Sequence, residues 1–292
     1  MSSDLIPKKS LHAFLILAHK DPRLVEILID SLQPLGRVYL HIDAKPVAEF
    51  ARILKREDIF VSNSVNVKWG HWTMVEATLI LINRALTDGA SRLTLITGDS
   101  LPIASSEKFM NLLKSDVDIC HNRALKNSTD PRRDDQYFRR YFAAKKYESF
   151  FPRLINLFLR KWPIRINIKK YLQPLELQIG SAYWSVTSET MRKALDYCER
   201  NPQLPTYFKK IKFPDETFFQ TLFRFFSNNV NGTGIMYANW DQPNAPHPSP
   251  LSASILKDEF NKGNFYFARK FCSEESELFT TWSSLYDFKI TD

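Results

Sequence analysis

After a polar N-terminus the chain reads HAFLILAH (12–19), an apolar run, then KDPRLVEILIDSL, where Leu24, Ile27, Leu28 and Leu32 recur at helical spacing, then GRVYLHID (36–43), apolar again and ending in polar residues. The change from continuous apolar runs to a 3.6-residue period and back predicts a β-α-β opening. AEFARILK predicts a helix, IFVSN a short strand, and HWTMVEATLILINRAL (71–86) a long amphipathic helix. RLTLITGDSLPI (92–103) predicts a strand running into a turn, SSEKFMNLLKS a capped helix, and DVDICHN a strand end. Strands alternating with helices imply a mostly parallel sheet covered on both faces.

Beyond residue 130 the order changes. A basic, aromatic segment expected to be helical leads to LELQIGSAYWSVTSE (175–189), which reads as strand, turn and strand. SETMRKALDYCER predicts a helix capped by Ser188, and PDETFFQ opens another. NWDQPNAPHPSP (239–250) holds four of the 16 prolines and reads as loop. With no internal repeat and no Gly/Ser linker, the expectation is a single domain with two halves, about 11–125 and about 126–292.

Composition narrows the class. The 292 residues are 44% hydrophobic and 13% aromatic, with 22 Phe and only 8 Gly, which excludes a disordered or low-complexity chain. Cys120, Cys198 and Cys272 are odd in number, widely spaced and without a CxxC pair, which fits a reducing compartment. The N-terminus MSSDLIPKKS lacks an apolar signal core, and the apolar runs are too short to span a bilayer, so an intracellular soluble protein is expected. The net charge of +8 suits nucleic acid, an anionic membrane face or phosphorylated substrates. Basic residues concentrate in 130–170, interleaved with Tyr, Phe, Trp and Leu; such a segment can lie on a membrane, line an anionic cleft or form a solvated helical face.

No GxxxxGK[ST], GxGxxG or GxSxG motif is present, which weakens the case for an ATPase, an NAD enzyme or an α/β-hydrolase. Polar residues do cluster where strands end: His19, then Asp43 and Lys45, then Asp99 and Ser100. In an open α/β sheet the ligand crevice lies outside those carboxyl ends. Asp116-x-Asp118 has the spacing by which many nucleotide-sugar transferases hold a divalent cation, although such spacing also arises by chance at strand ends. The acidic pair Asp215 and Glu216 follows Pro214 at the head of an apolar helix, as a simple helix start would.

In order along the chain, HAFLILAHKD, VYLHIDAK, VKWGHWTMVEATL, LITGDSLPI, GSAYWSVTSE, FPDETFFQTL and FARKF resemble the core-2/I-branching β-1,6-N-acetylglucosaminyltransferases and the related peptide-O-xylosyltransferases, glycosyltransferase family 14. The likeness runs from about residue 11 to 271. It implies a GT-A-type fold, a Rossmann-like mixed sheet flanked by helices, with a nucleotide-sugar-binding first half and an acceptor-binding, catalytic second half. It also implies an inverting transfer from a UDP-sugar without a metal or other cofactor. Glu216 matches the family's catalytic base, which takes the proton of the attacking hydroxyl; Asp215 then reads as a cap. Lys270 matches one of two basic groups that stabilise the leaving diphosphate. The second, an Arg in the family, has no counterpart, and Arg269 or His247 is the expected substitute.

By the same resemblance Asp43 contacts the uridine, Ala18 and His19 form another wall, and Trp69 falls near the nucleotide, though Trp69, like Trp72, could equally be core; Lys45, Asp99 and Ser100 are placed on the donor side by their position at strand ends. Trp240 matches a Trp that stacks on acceptor sugar, Arg133 lies opposite a functional Lys, and Gln136 replaces an Arg. Gly180, Ser181 and Tyr183 are expected along the acceptor cleft. Animal members carry a membrane anchor, a stem and disulfides that this sequence lacks, so the resemblance implies a bacterial, cytoplasmic form. It would extend lipopolysaccharide or capsule, with 130–170 facing the inner membrane peripherally. N-acetylglucosamine is the favoured sugar; xylose, galactose or glucose, a metal-dependent reaction through Asp116 and Asp118, and a non-catalytic glycan- or nucleic-acid-binding protein remain alternatives. No RNA-binding motif supports the last, and nucleic acid is not an expected partner.

Overall fold

The structure, a computed structural model, describes residues 11–45, 47–125, 137, 154–155, 157–158, 167–240 and 248–286. The opening unit is β1 (His12–Ala18), α1 (Pro22–Leu32) and β2 (Arg37–Ile42), followed by β3 (Phe60–Ser62), α2 (Thr73–Thr87), β4 (Arg92–Thr97), β5 (Ser100–Pro102), α3 (Ser106–Lys114) and β6 (Asp118–Ala124). Then come α4 (Ile168–Leu172), β7 (Gln178–Thr187), α5 (Ser188–Arg200), α6 (Gln203–Phe208), a 3₁₀ turn at Pro214–Glu216 and α7 (Phe218–Phe226). β8 (Val230–Asn231), β9 (Met236–Ala238), α8 (Ala253–Lys262), β10 (Phe267–Arg269) and α9 (Ser276–Leu285) complete the fold.

Seven strands form one sheet in the order β3-β2-β1-β4-β7-β6-β8. β3, β2, β1 and β4 run parallel, β7 runs antiparallel to both β4 and β6, and β8 is parallel to β6. The sheet is therefore mixed. A small second sheet, β5-β10-β9, joins the first half of the chain to the last. Alternation along β1 sends Ala13 and Leu15 into one apolar cluster with α2, α5 and α7, and Phe14, Ile16 and Ala18 into another with α1, α3 and the small sheet. Both faces of the large sheet are thereby covered, as near-continuous apolar runs require.

Several local expectations are corrected. Residues 175–189 do not form strand, turn and strand: 178–187 is one strand, irregular where Cys120 and Asn122 of β6 face it. Gly180, which resembles a turn residue, is demanded by packing, since a Cβ there would lie 1.6 Å from the His121 carbonyl oxygen. AEFARILK forms two short 3₁₀ turns, 47–50 and 53–55, in place of a helix. The cap of α5 is Thr187, whose hydroxyl accepts from the Thr190 N–H, with Ser188 inside the helix. PDETFFQ is a 3₁₀ turn and then a helix, broken at Thr217.

One buried polar chain threads the sheet. His12 Nε2 lies 2.6 Å from Thr94 Oγ1, Thr94 donates to Ser185, and the Arg92 guanidinium reaches Ser185 and the Ser115 and Val117 carbonyls. Burial, reinforced by Arg92, pushes the His12 imidazole down to about 3, so it is neutral.

Candidate active site

The carboxyl ends of β1, β2 and β4 are drawn together by backbone bonds. The Ala18 carbonyl accepts from the Asp43 N–H at 2.8 Å and the Leu17 carbonyl from the Gly98 N–H at 2.9 Å. A Cβ on Gly98 would sit 2.8 Å from Val25 Cγ2 and 3.1 Å from Ala18 Cβ, so a larger residue would part these strands. His19 stands at this edge. Desolvation lowers its pKa, Lys20 and Arg269 act the same way, and Asp99 and Asp43 oppose them.

Asp43 is buried and already engaged. Its Oδ1 accepts from the Val67 N–H at 3.2 Å and the Lys45 N–H at 3.4 Å, and its Oδ2 from Lys45 Nζ at 3.1 Å; Lys45 Nζ also reaches the Val67 carbonyl at 2.6 Å. Asp43 and Lys45 thus fasten the segment that carries Trp69. Trp69 is 66% exposed and meets Phe213 edge-on, 4.7 Å between ring centroids. Trp72, by contrast, is core.

Asp99 and Ser100 build the adjoining corner. The Arg269 guanidinium donates to both Asp99 oxygens, at 3.2 and 2.8 Å, and lies 5.2 Å from the Tyr183 ring centroid. Thr97 adds a hydrogen bond to Asp99 at 2.7 Å, and the Ser100 hydroxyl donates to the Thr97 carbonyl. Burial works against the Asp99 charge, but Arg269 and Thr97 outweigh it and hold the carboxyl below the ordinary range. Burial lifts the Tyr183 hydroxyl to about 12. Arg269 is therefore a neutralised structural cation. Lys270 is different: desolvation first, then the charges of Arg269 and Lys20, lower its pKa, and no described residue pairs with its ammonium group.

Lys20, which carries no motif, shares this corner. Asp21 holds it there: Asp21 adopts φ 52°, caps α1 by accepting from the Leu24 N–H at 3.1 Å, and accepts from the Ser273 N–H at 2.8 Å. The turn after β1 and the segment after β10 are thus fastened together, which brings the two lysines to one place.

The opposite wall is the 3₁₀ turn. Phe213 N–H bonds the Gly70 carbonyl at 3.0 Å and takes φ 55°, a sparsely populated conformation for a bulky residue. Gly70 has φ 68°, and a Cβ there would approach the Phe213 ring to 2.7 Å. Glu216 is half-buried and its Oε2 accepts from the Tyr137 hydroxyl at 3.3 Å; the Tyr207 hydroxyl in turn holds the Tyr137 carbonyl at 2.8 Å. The neighbouring Asp215 keeps Oδ1 enclosed without a hydrogen bond, and burial, then the charge of Glu216, pushes its carboxyl up to about 7. Gln220 Nε2 ties the turn to β7, donating to the Ser181 carbonyl at 2.5 Å and the Asp215 carbonyl at 3.2 Å.

Of the residues singled out in the sequence, Ala18, His19, Asp43, Asp99, Ser100, Tyr183, Arg269 and Lys270 come together around the strand ends. Ser181 and Glu216 adjoin them through the 3₁₀ turn, which stands beside Tyr183. Gly180 faces β6 and serves strand packing. Trp240, 56% exposed, lies two residues past Ala238, whose register partner is Arg269. Arg133, Gln136 and His247 lie outside the described residues. Asp116 and Asp118 lie at the other end of the sheet. Asp118 accepts from the Thr187 N–H and the Thr190 hydroxyl, and Thr187 pairs with Arg92, the first residue of β4. Sequence reasoning missed Lys20, Asp21 and Tyr137; only the position of Lys20 directly after a strand end hinted at a role.

A buried carboxylate corner, two cations with no described partner and a half-buried Glu at the carboxyl ends of a mixed α/β sheet suit the handling of a phosphorylated ligand and a hydroxyl. The chain belongs to the Core-2/I-Branching enzyme family, whose profile matches residues 12–262. It is accordingly a glycosyltransferase, acting with a nucleotide-sugar donor and a glycan acceptor. No curated protein matches it significantly. Among solved structures, mannose-1-phosphate geranyltransferase from Thermus thermophilus is 13% identical, over 75% of this chain and 69% of that one, with a TM-score of 0.34. 4-Diphosphocytidyl-2C-methyl-D-erythritolsynthase from Anaerococcus prevotii is also 13% identical, over 70% and 86%, with a TM-score of 0.34. Likeness at that level carries no argument about function. No helix among the described residues is long and apolar enough to cross a membrane.

Proposed function

We propose that the protein is an inverting, metal-independent transferase that moves a sugar, N-acetylglucosamine in the favoured reading, from a UDP-sugar to a hydroxyl of a bacterial cell-surface glycan such as lipopolysaccharide or capsule. Glu216 takes the proton of the acceptor hydroxyl as its oxygen attacks the anomeric carbon; the bond from that carbon to the diphosphate breaks, and its electron pair leaves with UDP. One carboxylate suffices, because the nucleotide diphosphate departs as a stabilised anion.

The observation that carries this reading is that Tyr183 stands within electrostatic reach of both the Arg269–Asp99 corner and Asp215 of the 3₁₀ turn. Glu216, held by Tyr137, belongs to that turn, and Lys20 and Lys270, cations with no described partner, belong to that corner. Fixed positive groups facing the departing charge stabilise the transition state without reorganising. Lys20 takes the place expected for Arg269, which Asp99 already occupies. The remote position of Asp116 and Asp118, with Asp118 committed to the start of α5, supports a reaction that does not run through them. Trp240 supplies an exposed aromatic face for acceptor sugar.

The test is Glu216→Gln. Turnover should fall by at least ~100-fold, the low end of general-base effects. UDP affinity measured by calorimetry should stay within about two-fold, because uniform binding is untouched. Turnover lowered by less than about ten-fold would remove Glu216 from the role of base.

A further inference from the structure

The exposed apolar side chains are not scattered evenly. Nine large hydrophobic residues are exposed among the described residues, and four of them, Leu154, Ile155, Leu157 and Phe158, fall within five positions, at 46, 37, 61 and 62% exposure. All four are helical, and the spacing i, i+1, i+3, i+4 sets them on one stripe. Single exposed apolar residues need no explanation, whereas a contiguous group of this size marks a surface that meets something apolar.

The charge of the same stretch says what that something carries. Residues 130–170 hold 12 Lys and Arg against 4 Asp and Glu, a surplus equal to that of the whole chain, 40 against 32. The remainder of the protein is thus balanced. We propose that the surface formed by Leu154, Ile155, Leu157 and Phe158 docks the enzyme on an anionic lipid bilayer, with its apolar stripe in the headgroup boundary and the basic residues that flank it in the sequence answering the lipid charge. Apolar residues flanked by Lys and Arg have the composition of interfacial segments, and each basic residue near an anionic leaflet adds to binding. A second copy of the chain would answer the apolar stripe but bring like charge against like. A soluble polyanion would answer the charge and leave the stripe in water.

Tyr137, from the same basic stretch, donates to Glu216. An acceptor anchored in the bilayer would therefore be met by a segment that also touches the candidate base. Docking itself does not depend on that assignment.

The experiment is co-sedimentation of the full chain with phosphatidylglycerol-containing and pure phosphatidylcholine vesicles, alongside the double variant Leu154→Asp/Leu157→Asp. The wild type should partition onto the anionic vesicles and be released by about 0.5 M NaCl, where screening is nearly complete over a few ångström. The double variant should bind at least ~10-fold more weakly, since burying even one Leu is worth that factor, while turnover on a water-soluble acceptor stays unchanged. Leu157→Ser, which removes apolar area without adding charge, keeps the test open if the double variant fails to fold. Binding indifferent to anionic lipid, variants that bind like the wild type, or tight binding only to heparin or RNA would each overturn the proposal. Glu216→Gln should still bind the anionic vesicles like the wild type, so a failure of the catalytic reading and a failure of docking are read separately.

Discussion

Asp215→Asn should make the protein more stable, and more so as pH rises. In the folded chain burial, with Oδ1 enclosed, and then the charge of Glu216 push the Asp215 carboxyl to about 7 from the ordinary 3.8, and no cation stands beside it among the described residues. Above 3.8 the unfolded chain releases this proton while the native chain still holds it, so stability is full below the unfolded value and declines as pH rises through the folded one. At about 1.36 kcal/mol per pH unit, the native state gives up about 4 kcal/mol by neutral pH, with no further loss above. Between about pH 5 and pH 8 the loss grows by roughly 2 to 3 kcal/mol. Asn keeps the shape and cannot ionise, so the variant should lose this slope. In urea melts of a chain this size the advantage at about pH 8 should move the midpoint by roughly 1 M, and by much less at about pH 5. An equal midpoint difference at both pH values, or a variant weaker than wild type at the higher one, would refute the reasoning.

Neighbouring cations should separate by role. Arg269→Ala leaves Asp99 buried and unpaired and should cost ~3–5 kcal/mol in thermal or denaturant melts. Lys270→Ala and Lys20→Ala should each leave the melting temperature within a few degrees yet weaken UDP binding by roughly ten-fold, the loss of about one charge-assisted contact, as read by calorimetry. Gly180→Ala forces a Cβ into the β6 backbone and should cost more than ~3 kcal/mol, at or beyond the usual range for overpacking, seen as a collapse of the soluble yield or of the melt.

The β1-α1-β2 opening was legible because apolar runs and helical spacing alternate cleanly there, and the long apolar period of α2 was equally clear. Strand direction was not. Nothing local in 178–187 records that β7 runs against both neighbours, and Gly180 looks like a turn residue when its lack of a side chain serves the approach of β6. The carboxyl-end rule pointed to the place where His19, Asp43 and Asp99 gather. What it could not reveal was which groups there are already spoken for. Asp43 is occupied by Lys45 and by the backbone of Val67, only 24 positions away, and Asp99 by Arg269, 170 positions distant. The same blindness hid Lys20, because its proximity to Lys270 depends on a bond between Asp21 and Ser273.

That bond joins positions 252 apart in the chain. A ribosome adding ~5–20 residues per second completes the first β-α-β unit many seconds before residue 273 appears. Until then the turn after β1 lacks the partner that fastens it to the segment after β10, and Lys20 stands at the strand edge without Lys270 beside it.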